Sequence, residues 1–226
     1  MRVLVRAREA QIAPKSPSNG EKLSRARCYH SKMCGDRREI EIKLRFDSAD
    51  EALERLRPLD PRPVGERTFE DNVLFDREQD PLTPAGKLLR VRQYGSRALL
   101  TYKAPTETGD RRHKVRLEEE TGLDDAEGMR RILDELGFSP CYRYQKYRTL
   151  FELDELQICV DETPLGCFVE LEGSPEAIDR TAERLGFGTD DYITETYGEL
   201  HERLAAERGE EPGDLLLSDS ERPGRA

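Results

Sequence analysis

Tryptophan is absent from the 226 residues, histidine occurs three times, and no apolar run approaches the ~18 residues that a membrane-spanning helix needs. Each scarcity excludes something. Without a long apolar run, no membrane partner is expected. His30, His113 and His201 are scattered, so a histidine-based metal site or catalytic triad has little to draw on. The five cysteines (Cys28, Cys34, Cys141, Cys159 and Cys167) form no CxxC pair and no regular spacing. An odd number without a signal peptide fits reduced thiols and a cytoplasmic location. Cys28, His30 and Cys34 offer three zinc-ligand types close together, but no second half-site accompanies them, and coincidence is the better reading. The net charge of −10 argues against a nucleic-acid duplex as partner.

Charge is what the chain has in abundance, at 37% of residues. It is unevenly spread. Residues 1–38 carry ten Lys/Arg against three acids, so the remainder is more acidic than the total suggests. Residues 1–37, interrupted by Pro14 and Pro17, read as a disordered basic extension. An Arg-rich, acid-poor N-terminus also resembles an organellar transit peptide, and Met33 offers an alternative start just before the first strand. Residues 38–206 read as one folded domain, and residues 207–226, rich in Gly, Pro and acids, as a disordered acidic tail.

Arg38-Glu-Ile-Glu-Ile-Lys-Leu-Arg-Phe46 alternates charged and apolar residues without a break, the period-two signature of a strand with one buried face. Ser48 to Glu51 is a capping box for a short helix, expected to turn Leu53 and Leu56 inward. Strands follow at 67–76, 88–92, 98–103 and 114–120, then a helix begun by Asp124-Asp-Ala-Glu127 and closed by Gly137. Three more strands (144–151, 157–161, 168–172) precede a helix with Pro175 at its first position and a last helix from about Thr194 to Arg208. The endings Glu135-Leu-Gly-Phe138 and Arg184-Leu-Gly-Phe187 echo each other and hint at two related halves.

Almost every strand carries charge on one pleat face and apolar side chains on the other. Short strands at hairpin spacing make an antiparallel sheet, and amphipathic helices cover its apolar face. The charged face holds about eight cations and seven carboxylates, clustered by sign along each strand. Burying them demands that each be paired or bound. A polyanion with divalent cations meets both needs, because cations grip phosphate oxygens and carboxylates hold Mg²⁺ or Mn²⁺.

Glu39-x-Glu41-x-Lys43 resembles the ExExK signature of the CYTH superfamily, the triphosphate tunnel metalloenzymes. The resemblance runs from about Arg38 to Leu204. It takes in Leu89-Arg90-Val-Arg92, Leu100-Thr-Tyr-Lys103, Arg116-x-Glu118-x-Glu120, Lys146-x-Arg148, Val160-Asp161 with Leu165-Gly166, and Phe168-Val-Glu170-Leu-Glu172. It implies an α+β fold: an eight-stranded antiparallel tunnel with helices packed outside, binding a triphosphate and two divalent ions. By resemblance, Glu39, Glu41, Glu118, Glu120, Asp161, Glu170 and Glu172 are the metal-ligand candidates. Arg90, Arg92, Lys103, Arg116, Lys146 and Arg148 would cradle the phosphates. Lys43, with Glu39 and Glu41, would serve the chemistry. Arg45 and Lys114 have even odds of simple solvation. Water as nucleophile makes a triphosphatase acting on inorganic triphosphate, a nucleotide or thiamine triphosphate. A ribose hydroxyl makes a class IV adenylate cyclase that converts ATP to cyclic AMP and pyrophosphate. A polyphosphate-binding module without turnover is the third reading, and monomer and homodimer are both open.

Overall fold

The alternating segments form nine strands, and eight of them close on themselves. The computed structural model describes residues 37–106 and 112–222; the basic extension before residue 37 and the Cys28–Cys34 cluster lie outside those residues. The strands are β1 (Arg38–Phe46), β2 (Arg62–Pro63), β3 (Thr68–Asp76), β4 (Leu88–Tyr94), β5 (Arg97–Pro105), β6 (Lys114–Leu123), β7 (Ser139–Leu153), β8 (Leu156–Thr163) and β9 (Gly166–Glu172). The helices are α1 (Ala49–Leu56), α2 (Ala126–Glu135), α3 (Pro175–Arg184) and α4 (Tyr197–Arg208). Strand order is β7-β3-β4-β5-β6-β1-β9-β8, and β8 pairs back onto β7, so the barrel is sealed; the two-residue β2 sits beside β7. Every pairing in it is antiparallel. Closure removes the unpaired edges that an open sheet would present.

Outward side chains of β1, β8 and β9, among them Ile42, Leu44, Ile158 and Leu171, pack beneath α1 and α3 as the main core. Each contributes about 1.5–3 kcal/mol on full burial. A second cluster places Leu133 of α2 on Val73, Phe75 and Val91. In α1 the buried stripe is Ala52 and Leu56, four residues apart. Leu53, expected inward, stays 36% exposed because it lies one step round the helix from that stripe.

The echo between residues 135–138 and 184–187 has a local cause. Gly137 and Gly186 both take left-handed backbone, with φ of 81° and 86°. Phe138 and Phe187 each donate their N–H to the carbonyl five residues back, Leu133 at 2.9 Å and Ala182 at 3.0 Å. Both are the same glycine-based helix stop, which needs no shared ancestry of two halves.

The tail after α4 departs from expectation. Leu215 N donates to Arg143 O and its carbonyl accepts from Gln145 N, both at 2.9 Å, while the Asp214 carboxylate accepts from Arg143 N at 2.9 Å. Leu215 and Leu217 are buried. The reason lies in β7: β8 covers its edge only from Tyr147 onward, leaving the edge near Tyr144 to be satisfied by another segment. Before α4, Ile193 does the same for β1. It exchanges two 2.9 Å backbone hydrogen bonds with Lys43, beyond the point at Glu41 where β6 pairing stops. Residues 193–217 thus form a strap that joins two strands across one end of the barrel. Between the two bridges, Tyr197 and Leu200 pack with Tyr144, Phe168 and Leu215 in a third cluster.

Candidate active site

Antiparallel pairing turns the charged face of every long strand inward. Glu39, Glu41, Lys43, Arg90, Arg92, Lys103, Arg116, Glu118, Lys146, Asp161 and Glu170 are all buried, none more than 9% exposed. Glu120, Arg148 and Glu172 are partly buried. Charges this dry need partners, and they have them.

The partners form a belt around the lumen. Lys103 Nζ lies 2.5 Å from Glu39 and 3.1 Å from Glu118. The Arg116 guanidinium reaches Glu39 at 3.4 Å and Glu41 at 3.3 Å. Lys43 bridges Glu41 at 3.4 Å and Glu170 at 3.5 Å, and Arg148 pairs with Glu170 in turn. Asp161 accepts from Lys146 Nζ at 2.7 Å and from both Nε and an NH2 of Arg148, at 2.7 and 2.6 Å. On the opposite wall Arg92 lies 3.5 Å from Glu120, and Arg90 donates to Thr101, whose hydroxyl donates to Glu120 at 2.7 Å.

Sequence reasoning missed Thr101 and four further members of this lumen. Glu70 on β3 is fully buried among Lys146, Arg92 and Arg148, at 3.7, 3.7 and 3.8 Å. Asn72 lies beside it and donates to Glu70 at 3.4 Å. Tyr144 accepts from Arg90 at 2.8 Å, and Tyr197 of α4 donates to Asp161 at 2.8 Å. The signal for Glu70 was present in the pleat, since Glu70, Asn72 and Leu74 alternate with Val73 and Phe75 on β3.

The two undecided cations separate. Arg45 stands 4.6 Å over the Phe168 ring and donates to Leu165 O at 3.0 Å, so it buttresses the wall. Lys114 lies opposite Glu41, near Arg116 and Lys43, and reaches Glu199 of α4 at 3.4 Å. Burial and those two cations pull its ammonium down to about 8.

Elsewhere the cations dominate. Burial works against ionisation of Glu41, yet Lys43 and Arg116 hold its carboxyl at about 2. Glu70 is likewise held at about 2, against burial, by Lys146, Arg92 and Arg148. Lys43 shows the converse: burial disfavours its charge, but Glu41 and Glu170 keep it protonated above its ordinary value. Burial opposes the Tyr144 phenolate too, but Arg90, Lys146 and Arg92 bring that phenol below its ordinary value.

Two features of the lumen bear on what it binds. Nε of Arg90, of Arg92 and of Arg116 are buried donors without a hydrogen-bond acceptor among the described residues, and Asn72 Oδ1 is a buried acceptor without a donor. Glu39, Glu118 and Glu172 also bring one carboxylate oxygen each within 4.8 Å of one another. Three oxygens so placed are of the type and spacing that a hard divalent cation accepts as part of its ligand set. The other four acids expected as ligands, Glu41, Glu120, Asp161 and Glu170, lie outside that trio; like Glu39 and Glu118, they pair with cations of the belt.

A model of the CYTH domain matches residues 37–197. The chain belongs to the CYTH family. That is a family of metal-dependent enzymes acting on triphosphates. A candidate adenylate cyclase of Methanocaldococcus jannaschii is 28% identical over 173 residues, spanning 72% of this chain and 97% of that protein. A candidate adenylate cyclase of Vibrio parahaemolyticus shares the fold with a TM-score of 0.65 at 21% identity, over 74% of this chain and 98% of the other. A Hippeastrum protein described as a candidate adenylyl cyclase with a dominant triphosphatase activity has a TM-score of 0.51 at 20% identity, over 82% and 100%. Among the described residues of this CYTH chain, no helix is long and apolar enough to cross a membrane.

Proposed function

We propose that this CYTH barrel is a triphosphatase that binds inorganic triphosphate or an organic triphosphate with Mg²⁺ or Mn²⁺ and releases orthophosphate. The observation that carries the reading is that three buried guanidinium groups, each with an Nε that lacks an acceptor among the described residues, share one lumen with a carboxylate trio of metal-site dimensions. A purely cationic grip would bind phosphate without the carboxylates. Their presence fits an anion that arrives with divalent cations, so that neither set of charges is left unbalanced.

In this reading Glu39, Glu118 and Glu172 would hold a divalent ion, which would supply charge neutralisation at the phosphates and activation of the nucleophile. Glu41 and Glu170, which both pair with Lys43, would be the candidates to serve a second. Arg90, Arg92, Lys103, Arg116, Lys146 and Arg148 bind phosphate oxygens, the guanidinium groups in forked fashion. Asp161, saturated by Lys146 and Arg148, orients those cations instead of ligating metal. Lys43, kept protonated by Glu41 and Glu170, contributes positive charge to the transferring phosphoryl group and is no proton acceptor.

The second reading is the class IV adenylate cyclase, supported by the name of the Methanocaldococcus relative. One assay separates them. The purified protein is incubated with inorganic triphosphate and with ATP, each with Mg²⁺, with Mn²⁺ and with chelator, and the products are identified. Orthophosphate from triphosphate, abolished by chelator, is expected. Cyclic AMP with pyrophosphate as the main products from ATP would replace this reading with the cyclase, and full activity in chelator would remove the metal from it.

A further inference from the structure

The strap that crosses the barrel end brings one side chain into the charge belt, and none of the charge motifs of the strands predicts it. Thr196 and Glu199 cap α4 reciprocally: Glu199 N donates to Thr196 Oγ1 at 3.1 Å, and Thr196 N to Glu199 Oε2 at 2.6 Å. With its first turn fixed, α4 presents Tyr197 to the lumen. The ring is buried, edge-on to Phe168 with centroids 5.5 Å apart. The ammonium groups of Lys146 and Lys43 lie 5.0 and 5.4 Å from the ring centroid. Its hydroxyl donates at 2.8 Å to Asp161 Oδ2, the same oxygen that takes Lys146 Nζ and one Arg148 NH2.

We infer that Tyr197 is a positioning residue for triphosphate binding, acting through Asp161 to hold Lys146 and Arg148 in place; the inference rests on the triphosphate reading of the lumen. Asp161 is fully buried and is the common anchor of both cations. A carboxylate with two oxygens and three charged donors can rotate about its last torsion and trade one donor for another. The phenol removes that freedom by occupying a fixed site on Oδ2, and the strap fixes the phenol. Burial and the neighbouring carboxylate both keep the hydroxyl protonated, so it remains a donor. The aromatic face meanwhile offers the two lysines a surface that attracts cations without competing for their N–H groups. The C-terminal segment thereby contributes to the order of the phosphate grip, beyond closing the barrel.

The test is Tyr197→Phe, which keeps the ring and its packing and removes only the hydroxyl. Binding of inorganic triphosphate to chelator-treated protein is measured by calorimetry, with thermal unfolding and steady-state kinetics alongside. The expected result is an affinity lower by about three- to tenfold, the range for losing one hydrogen bond to a charged network. KM should rise more than kcat falls, and Tm should hold within a degree or two. In an Asp161→Asn background the same substitution should add little, because its effect runs through that carboxylate. Unchanged affinity in Tyr197→Phe overturns the inference by itself, with no need for the second variant. So does a full additional loss on top of Asp161→Asn, or a loss of affinity matched by a fall in Tm, which would mark the residue as structural. If the unaltered protein neither binds triphosphate in chelator nor hydrolyses it with Mg²⁺ or Mn²⁺, the functional reading falls as well, an outcome distinct from all of these; if it only hydrolyses it, KM is the readout for Tyr197→Phe.

Discussion

Along β1 the outward side chains Ile42 and Leu44 and the inward side chains Glu41 and Lys43 are all buried, at 0, 0, 6 and 2% exposure. Removing the first pair from water is a gain, and it is repeated around the main core. Removing the second pair is a loss of several kcal/mol per ion before partners are counted, offset only by the belt of opposite charges. One strand therefore performs two jobs that respond to substitution in opposite ways. The outer face sets how stable the barrel is. The inner face is retained at the expense of stability, for what it binds.

The largest expected effects pit one face against the other. Leu171→Ala on the outer face of β9 should lower unfolding free energy by ~2–5 kcal/mol, read from urea denaturation, with KM of the folded protein unchanged. Glu172→Gln, the next residue along and facing inward, should lower turnover on the order of 100-fold or more while leaving the urea midpoint in place or raising it. If the two variants show the same pattern, the division between faces is wrong.

A smaller effect is acid sensitivity. Glu41 and Glu70 are held at about 2 in the folded protein, against an ordinary 4.5. Their folded-state carboxyls thus bind protons less readily than the unfolded ones, so the stability they contribute is complete above about 4.5 and lost as pH falls towards 2. The urea midpoint should fall through that window, and Glu70→Gln should remove part of the slope. A midpoint constant down to pH 2 would show that the lumen carboxylates are not held by the cations as described.

The smallest effect belongs to Arg55 on α1. It pairs with Glu51, donates to Leu185 O at 3.0 Å and stands 5.6 Å from the rings of Phe46 and Phe187, all outside the barrel. Arg55→Ala should change stability by less than about 1 kcal/mol and triphosphate affinity not at all. A change in affinity there would mean that the outer and inner faces are coupled through the wall.

The same contrast explains what the sequence made legible. Where charged and apolar residues alternate strictly, as in Arg38–Phe46, one pattern reveals strand, face and candidate role together. Glu70 escaped because Glu70-Asp71-Asn72 is a run of three polar residues, which hides the alternation on either side of it. Tyr197 escaped because a helix places side chains by a different period from the strands, so nothing in the spacing linked it to Asp161. The tail was misjudged on average composition. Leu215-Leu216-Leu217 was the apolar signal within it, but a lone pairing with Tyr144 depends on where β8 stops, which no local pattern encodes.

The strap has a consequence for the order of assembly. Lys43 waits for Ile193 and Arg143 waits for Leu215, partners separated by 150 and 72 positions along the chain. Pairings so distant are slow to form. Until they do, the barrel stays open at the end that Tyr197 and Leu200 later occupy, and water can reach the lumen. The belt of ions is then expected to assemble while still hydrated, with each charge finding its opposite before solvent is withdrawn. Dehydration is expected to follow, when the partners that offset it are already in place.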